Sequence, residues 1–226
     1  MWDEFNIKTW DAETVVFRDG VFCPDLSTLN STDITKKYNR DVHIIYVGEI
    51  AGNCRLNINI LTENQPVFLT AKIKNKKPAF FNIFVKNAGK NSEFRGHVML
   101  ENFSNLETDF VMQHSASDTV ALLHTKILAE KNTLSKLSGV AIIDANTKNT
   151  TSDINFSALA DKTARIEFAP AQRISAVPND AGHSASLYRP GTPQIEYLRG
   201  AGLARDEIRD ALREAFLNDY SLFVNK

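Results

Sequence analysis

CRLNINIL, residues 54–61, decides the fold. From Arg55 onward apolar and polar residues alternate with period two, the pattern of a half-buried β-strand rather than of a helix. RIEFA, residues 165–169, shows the same alternation far downstream. Between Val42 and about Ile174 the chain is a succession of such runs, among them VHIIYVGEI (42–50), PVFLTAKI (66–73), AFFNIFVKN (79–87) and SDINFSAL (152–159). They are rich in β-branched and aromatic residues. Polar breaks such as KNKKP (74–78), KNAGKNSE (86–93) and DANTKNTTSD (144–153) separate them. Only TVALLHTKILAE (119–130) reads equally as helix or strand. The class is all-β, as a sandwich, a barrel or a stacked solenoid. The many short strands favour the solenoid, and so does the lack of Asn-Gly or Asp-Gly pairs for tight antiparallel hairpins. Asp19-Gly20 is the exception and precedes the strand-rich region. No strict sequence repeat marks the coils.

The C-terminal fifth differs in kind, so the chain divides into a β core over residues 1–190 and a helical segment over 191–226. Thr192-Pro193 reads as an N-cap followed by proline in the first turn of a helix that should stop at Gly200 and Gly202. A second helix is predicted from about Arg205 to Asn218. In it Ile208, Ala211, Leu212, Ala215 and Phe216 form one stripe, and Asp206 and Glu207 occupy the first turn. That stripe either covers the open end of a solenoid or faces a partner.

Composition narrows the function. The 226 residues suffice for a substantial core. The 26 basic and 27 acidic side chains nearly cancel, which leaves no global field to draw nucleic acid or an anionic membrane. No apolar run reaches the roughly 18 residues a spanning helix needs. Residues 1–17, MWDEFNIKTWDAETVVF, are acidic where an export signal would be basic and apolar. The expectation is a soluble cytoplasmic protein with reduced cysteines. Cys23 and Cys54 are too few for a disulfide scaffold and too far apart for a local metal clamp.

His183, in AGHSASLYRPGTPQIEYLRGAGL (181–203), is the one residue whose setting suggests chemistry. Its small neighbours Gly182, Ser184 and Ala185 leave an imidazole nitrogen accessible to a metal or to a partner's ligand. The plainer alternative is a turn histidine bonded to backbone where the β body meets the helices. His43, His97, His114 and His124 are scattered along strands, no two at metal-clamp spacing. GHSAS resembles the G-x-S-x-G nucleophile elbow, but no histidine follows it and LYRPGTP interrupts the helix that an elbow requires. Paired carboxylates of a carbohydrate-active β-helix are not distinguishable from a solvated surface.

Three separated segments carry a family resemblance. VVFRDGVFCPDLS (15–27) is similar to an opening strand and turn that ends in Pro-x-Leu-Ser. HTKILAEKNTLSKLSGVAIID (124–144), with the polar stretch and INFSALADKTARIEFAP (154–170) after it, is similar to a long shared block. That block has a glycine, here Gly139, before an apolar strand. AGHSAS and QIEYLRGAGL (194–203) are similar to Ala-Ser-His-Gly-Ala-Thr and Gln-Leu-Phe-Tyr-Leu-Arg-x-Arg-Gly-Leu. The chain thereby resembles the SufBD core family of the SUF iron–sulfur cluster assembly machine, and SufD more than SufB.

The resemblance implies a right-handed parallel β-helix followed by helices, and a non-catalytic scaffold subunit. Such a subunit would pair through its β-helix with a SufB-like partner or with itself. Its C-terminal region would dock a SufC-like ABC ATPase, with Tyr197, Leu198, Leu203, Ile208, Leu212 and Phe216 as candidates for that contact. His183 falls at the family's histidine, which makes it the candidate for cluster assembly and for metal ligation. No tightly bound cofactor is expected, only a transient iron–sulfur cluster shared with a partner. The chain has no phosphate loop, so ATP chemistry would belong to that partner; the nearest string is AGKNS (88–92). Departures are Ser184 and Ala201 where the family has glycine and arginine, and no cysteine after Cys54. The helical N-terminal region of full-length members has no counterpart in the 14 residues before Val15. A divergent structural or interaction β-helix without cluster chemistry is the alternative.

Overall fold

A computed structural model describes residues 12–176 and 179–218. In chain order the strands are β1 (Glu13–Arg18), β2 (Val21–Phe22), β3 (Asp33–Ile34), β4 (Val42–Glu49), β5 (Gly52–Ile60), β6 (Pro66–Asn75) and β7 (Ala79–Asn87). Then come β8 (Glu93–Asn102), β9 (Asn105–His114), β10 (Val120–Ala129), β11 (Leu134–Ile143), β12 (Thr151–Ala160), β13 (Arg165–Ile174) and β14 (Asp180–Tyr188). Helices α1 (Thr192–Gly200) and α2 (Arg205–Asn218) follow.

From β4 to β14 even-numbered strands join one sheet and odd-numbered strands the other, every pairing among them parallel. This is a parallel β-solenoid of about 6 turns, with 56% of the described residues in strands. Successive coils are offset by roughly 25 to 31 residues, as in Val42 beside Val67 and Val120 beside Thr151. That drift in coil length is why no strict repeat appears in the sequence. Asp19-Gly20, with φ of 51° and 82°, closes an antiparallel hairpin that pairs Phe17 with Phe22. One tight hairpin therefore does exist, at the first coil.

Alternation along each strand fixes what lies inside. Leu56, Ile58 and Ile60 of β5 are buried, while Asn57 and Asn59 between them point outward. Rings from both sheets meet along the core from Phe17 through Tyr46, Phe81, Phe110 and Phe156 to Phe168, with centroids 5.2 to 6.2 Å apart. Gly139 lies within β11 rather than ahead of it. A Cβ there would stand 3.0 Å from the Phe156 ring, so the glycine makes room for that stack.

Corners use asparagine in two ways. Asn64, Asn91, Asp118 and Asn149 share a left-handed backbone with φ of 54° to 61°, a conformation their short side chains tolerate. They also bond from coil to coil: Asn91 Nδ2 donates to Asn64 Oδ1 at 3.1 Å, and Asn149 Nδ2 to Asp118 Oδ1 at 2.9 Å. Inside, buried Asn87 and Asn102 donate to the carbonyls of Val120 and Leu134 in the next coil, at 3.0 and 3.1 Å.

The helices follow the sequence expectation with one shift. Gly191, not Thr192, is the N-cap of α1, and its N–H donates to Gln194 Oε1 at 2.9 Å. Gly202, at φ 93°, ends α1 in a Schellman motif: its N–H reaches Arg199 O, and Leu203 N–H reaches Leu198 O. The motif brings Leu198 and Leu203 to the same end of the helix, both half-buried. No helix among the described residues is long and apolar enough to cross a membrane.

Candidate functional site

The last coil is unlike every other. β13 and β14 are sheet-edge strands, each bonded on one side only among the described residues. Register shows which of their residues face inward. Ile166, Phe168, Pro170, Gln172 and Ile174 of β13 stack on inward positions of β11, and Ala181, His183, Ala185 and Leu187 of β14 on those of β12. In any earlier coil such residues would be buried. Here Ile174 remains 45% exposed and Leu187 42%, and Tyr188 on the outer side 40%. Among the described residues the solenoid thus ends in an uncovered apolar rim.

His183 stands in that rim, in the middle of β14 and exposed. It is a strand residue, which corrects the reading of it as a turn histidine. It terminates an inward column that runs Val15, Ile44, Leu69, Gly96, Leu123, Ile154 and then His183. An imidazole thus takes the place where every preceding coil carries an aliphatic side chain or glycine. Its same-face neighbours are Ala181 and Ala185, so nothing bulky on β14 screens the ring. On the outer face of β14 the Ser184 hydroxyl donates to Asn155 Oδ1, which leaves the serine engaged structurally.

Cys23 and Cys54 lie at the opposite end of the stack. The Cys54 thiol adjoins Tyr46, whose hydroxyl is pushed above its ordinary pKa chiefly by burial. Cys23 opens the short 3-10 turn after β2, with its thiol 3.6 Å from Val21 O. Neither shares a coil with His183. Among the described residues no three or more His, Cys, Asp or Glu are arranged to hold a metal ion.

Register brings together what spacing concealed. His97 and His124 are cross-strand neighbours on the outer face, with ring centroids 5.8 Å apart. Burial, then the neighbouring His124 and Arg95, lowers the His97 pKa to about 4, and burial also lowers that of His124. Only a known coil length of about 27 residues would have shown the pair. His114 is fully buried, its Nδ1 2.8 Å from Thr119 Oγ1, and burial lowers its pKa to about 4 against an opposing pull from Asp144. On the other outer face a groove of about 380 Å³ gathers Phe80, Glu107, Asp109, Lys136 and Glu167. Glu107 pairs with Lys136 at 3.2 Å and Glu167 with Arg165 at 2.8 Å.

The six tail candidates separate. Tyr197 is 78% exposed, Leu198, Leu203, Leu212 and Phe216 are half-buried, and Ile208 is buried at 4%. The polar contacts of α2 with the body lie on the outer face of the eight-stranded sheet. Arg213 reaches Glu101 at 3.0 Å and also Glu130. Lys126 Nζ donates to Phe216 O at 2.6 Å and lies 5.2 Å from that ring's centroid.

Residues 63–216 match the family described as "SUF system FeS cluster assembly, SufBD core domain". The second and third resembling segments fall inside that span, and the segment at 15–27 falls outside it. No curated protein matches the chain.

Proposed function

The chain belongs to the SufBD core family, and on that premise we propose that it is a non-catalytic, SufD-like scaffold subunit for iron–sulfur cluster assembly. It pairs with a SufB-like subunit or a second copy through the open end of its solenoid, and its C-terminal helices dock a SufC-like ABC ATPase. The observation that carries this reading is the uncovered rim around His183. An apolar sheet end with unpaired edges is a liability unless another chain covers it. The nascent cluster is cargo at that junction. His183 offers a neutral imidazole to iron, and the thiolates that usually anchor clusters come from the partner, because this chain's own cysteines lie at the far end.

The test is co-purification of tagged protein from its own host, followed by reconstitution of cluster assembly with the recovered complex. Recovery of an ABC ATPase and a second SufBD-type chain supports the reading, as does a His183→Ala variant that keeps the complex but forms clusters more slowly. Absence of both partners would sink it and leave a structural β-helix without cluster chemistry.

A further inference from the structure

We infer that α2 is held to the β body by a charged latch and is built to leave it. Four charges and one carbonyl make the contact. Arg213 forks between Glu101 at the end of β8 and Glu130 just after β10, and these side chains are only 22%, 13% and 29% exposed. Lys126, on the outer side of β10, donates to Phe216 O near the end of α2, where the helix dipole favours a cation. Of its apolar stripe Ile208 alone is buried, at 4% exposed. Ala211 and Ala215 of its apolar stripe are exposed, and Leu212 and Phe216 are only half-buried.

Charge and apolar burial hold a helix differently. A partly buried ion pair gives up much of its Coulomb attraction to desolvation, so it fixes position while adding little net stability. When such a pair opens, its charges regain water, whereas opening an apolar seam exposes hydrocarbon. α2 is therefore placed accurately but held weakly. Its release frees the inner side of the stripe, with Ile208, Leu212 and Phe216, for another surface. That use rests on the proposed docking of the ATPase, whereas the latch rests only on the contacts above.

Hydrogen–deuterium exchange of the full-length protein tests it in two directions. Replacing both acceptors, Glu101→Gln with Glu130→Gln, should speed exchange of α2 amides about tenfold or more and leave β8 and β10 amides unchanged. Replacing the three charges of the Arg213 fork by apolar residues, Arg213→Met with Glu101→Leu and Glu130→Leu, should slow it, because packing then substitutes for the pairs. Unchanged α2 exchange in the first variant, with the strands intact, overturns the latch. Binding of the host's SufC-like ATPase to the Gln variant separates the two ideas, and tighter binding is expected. If exchange rises while affinity stays the same, the latch stands and α2 is not the docking surface.

Discussion

The two ends of the solenoid solve the same problem in opposite ways. At the first coil the chain folds back on itself: β2 pairs with β1 around Asp19-Gly20, and Cys23 and Leu26 of the following turn pack on the outer face over Val16. Val15, Val16 and Ile34 there are fully buried. The last coil has the same alternation and comparable apolar residues, yet nothing among the described residues folds over Ile174 or Leu187. One end is closed by its own chain, and the other is left uncovered among the described residues.

The sharpest way to test that contrast is to truncate equivalent inward residues. Ile44→Ala, in the closed stack, should lower unfolding stability by about 2–5 kcal/mol in denaturant titrations. Acid probes the same interior. His114 is held neutral by burial, whereas in the unfolded chain it takes up a proton below its ordinary 6.5. Its contribution is complete above that value and is lost as pH falls towards about 4, on the order of a few kcal/mol. A His114→Asn variant should show a flatter decline over that window. At the sealed end, Gly48 has φ 113° and a Cβ there would lie 2.1 Å from Asp19 Oδ1, which itself accepts the Glu49 N–H at 2.7 Å. Gly48→Ala should cost about 1–3 kcal/mol and loosen the hairpin, as read from exchange of the β1 and β2 amides. Leu187→Ala should change the stability of the isolated protein by less than about 0.5 kcal/mol while weakening its pairing in light scattering. A large loss at Leu187 without pairing would show that the rim is already covered within the monomer, and the contrast would fail.

Much of the fold is legible because alternation reports one-sided burial directly, as in RLNINIL and RIEFA. It fails where burial is two-sided. Lys126, Ile127, Leu128 and Ala129 of β10 are all buried, so TVALLHTKILAE loses its alternation and reads as readily as a helix. Contact with α2 covers the outer side there, and a tail some 90 residues away cannot be seen in a local pattern. The site was half legible. His183 stood out by its small neighbours, but its place at the head of an aliphatic column depends on register, which varies in length from coil to coil. His97 and His124 stayed apart in the sequence for the same reason.

The closed end is also the end that is made first. A ribosome releases the hairpin and β4 before the rest, so each later coil emerges onto a finished template and adds its edge to one already in place. The rim around His183 is the last part of the solenoid itself to form, ahead only of α1 and α2. For most of synthesis the growing edge is therefore covered by the chain's own next coil. Once β14 has formed, no further coil among the described residues covers that edge.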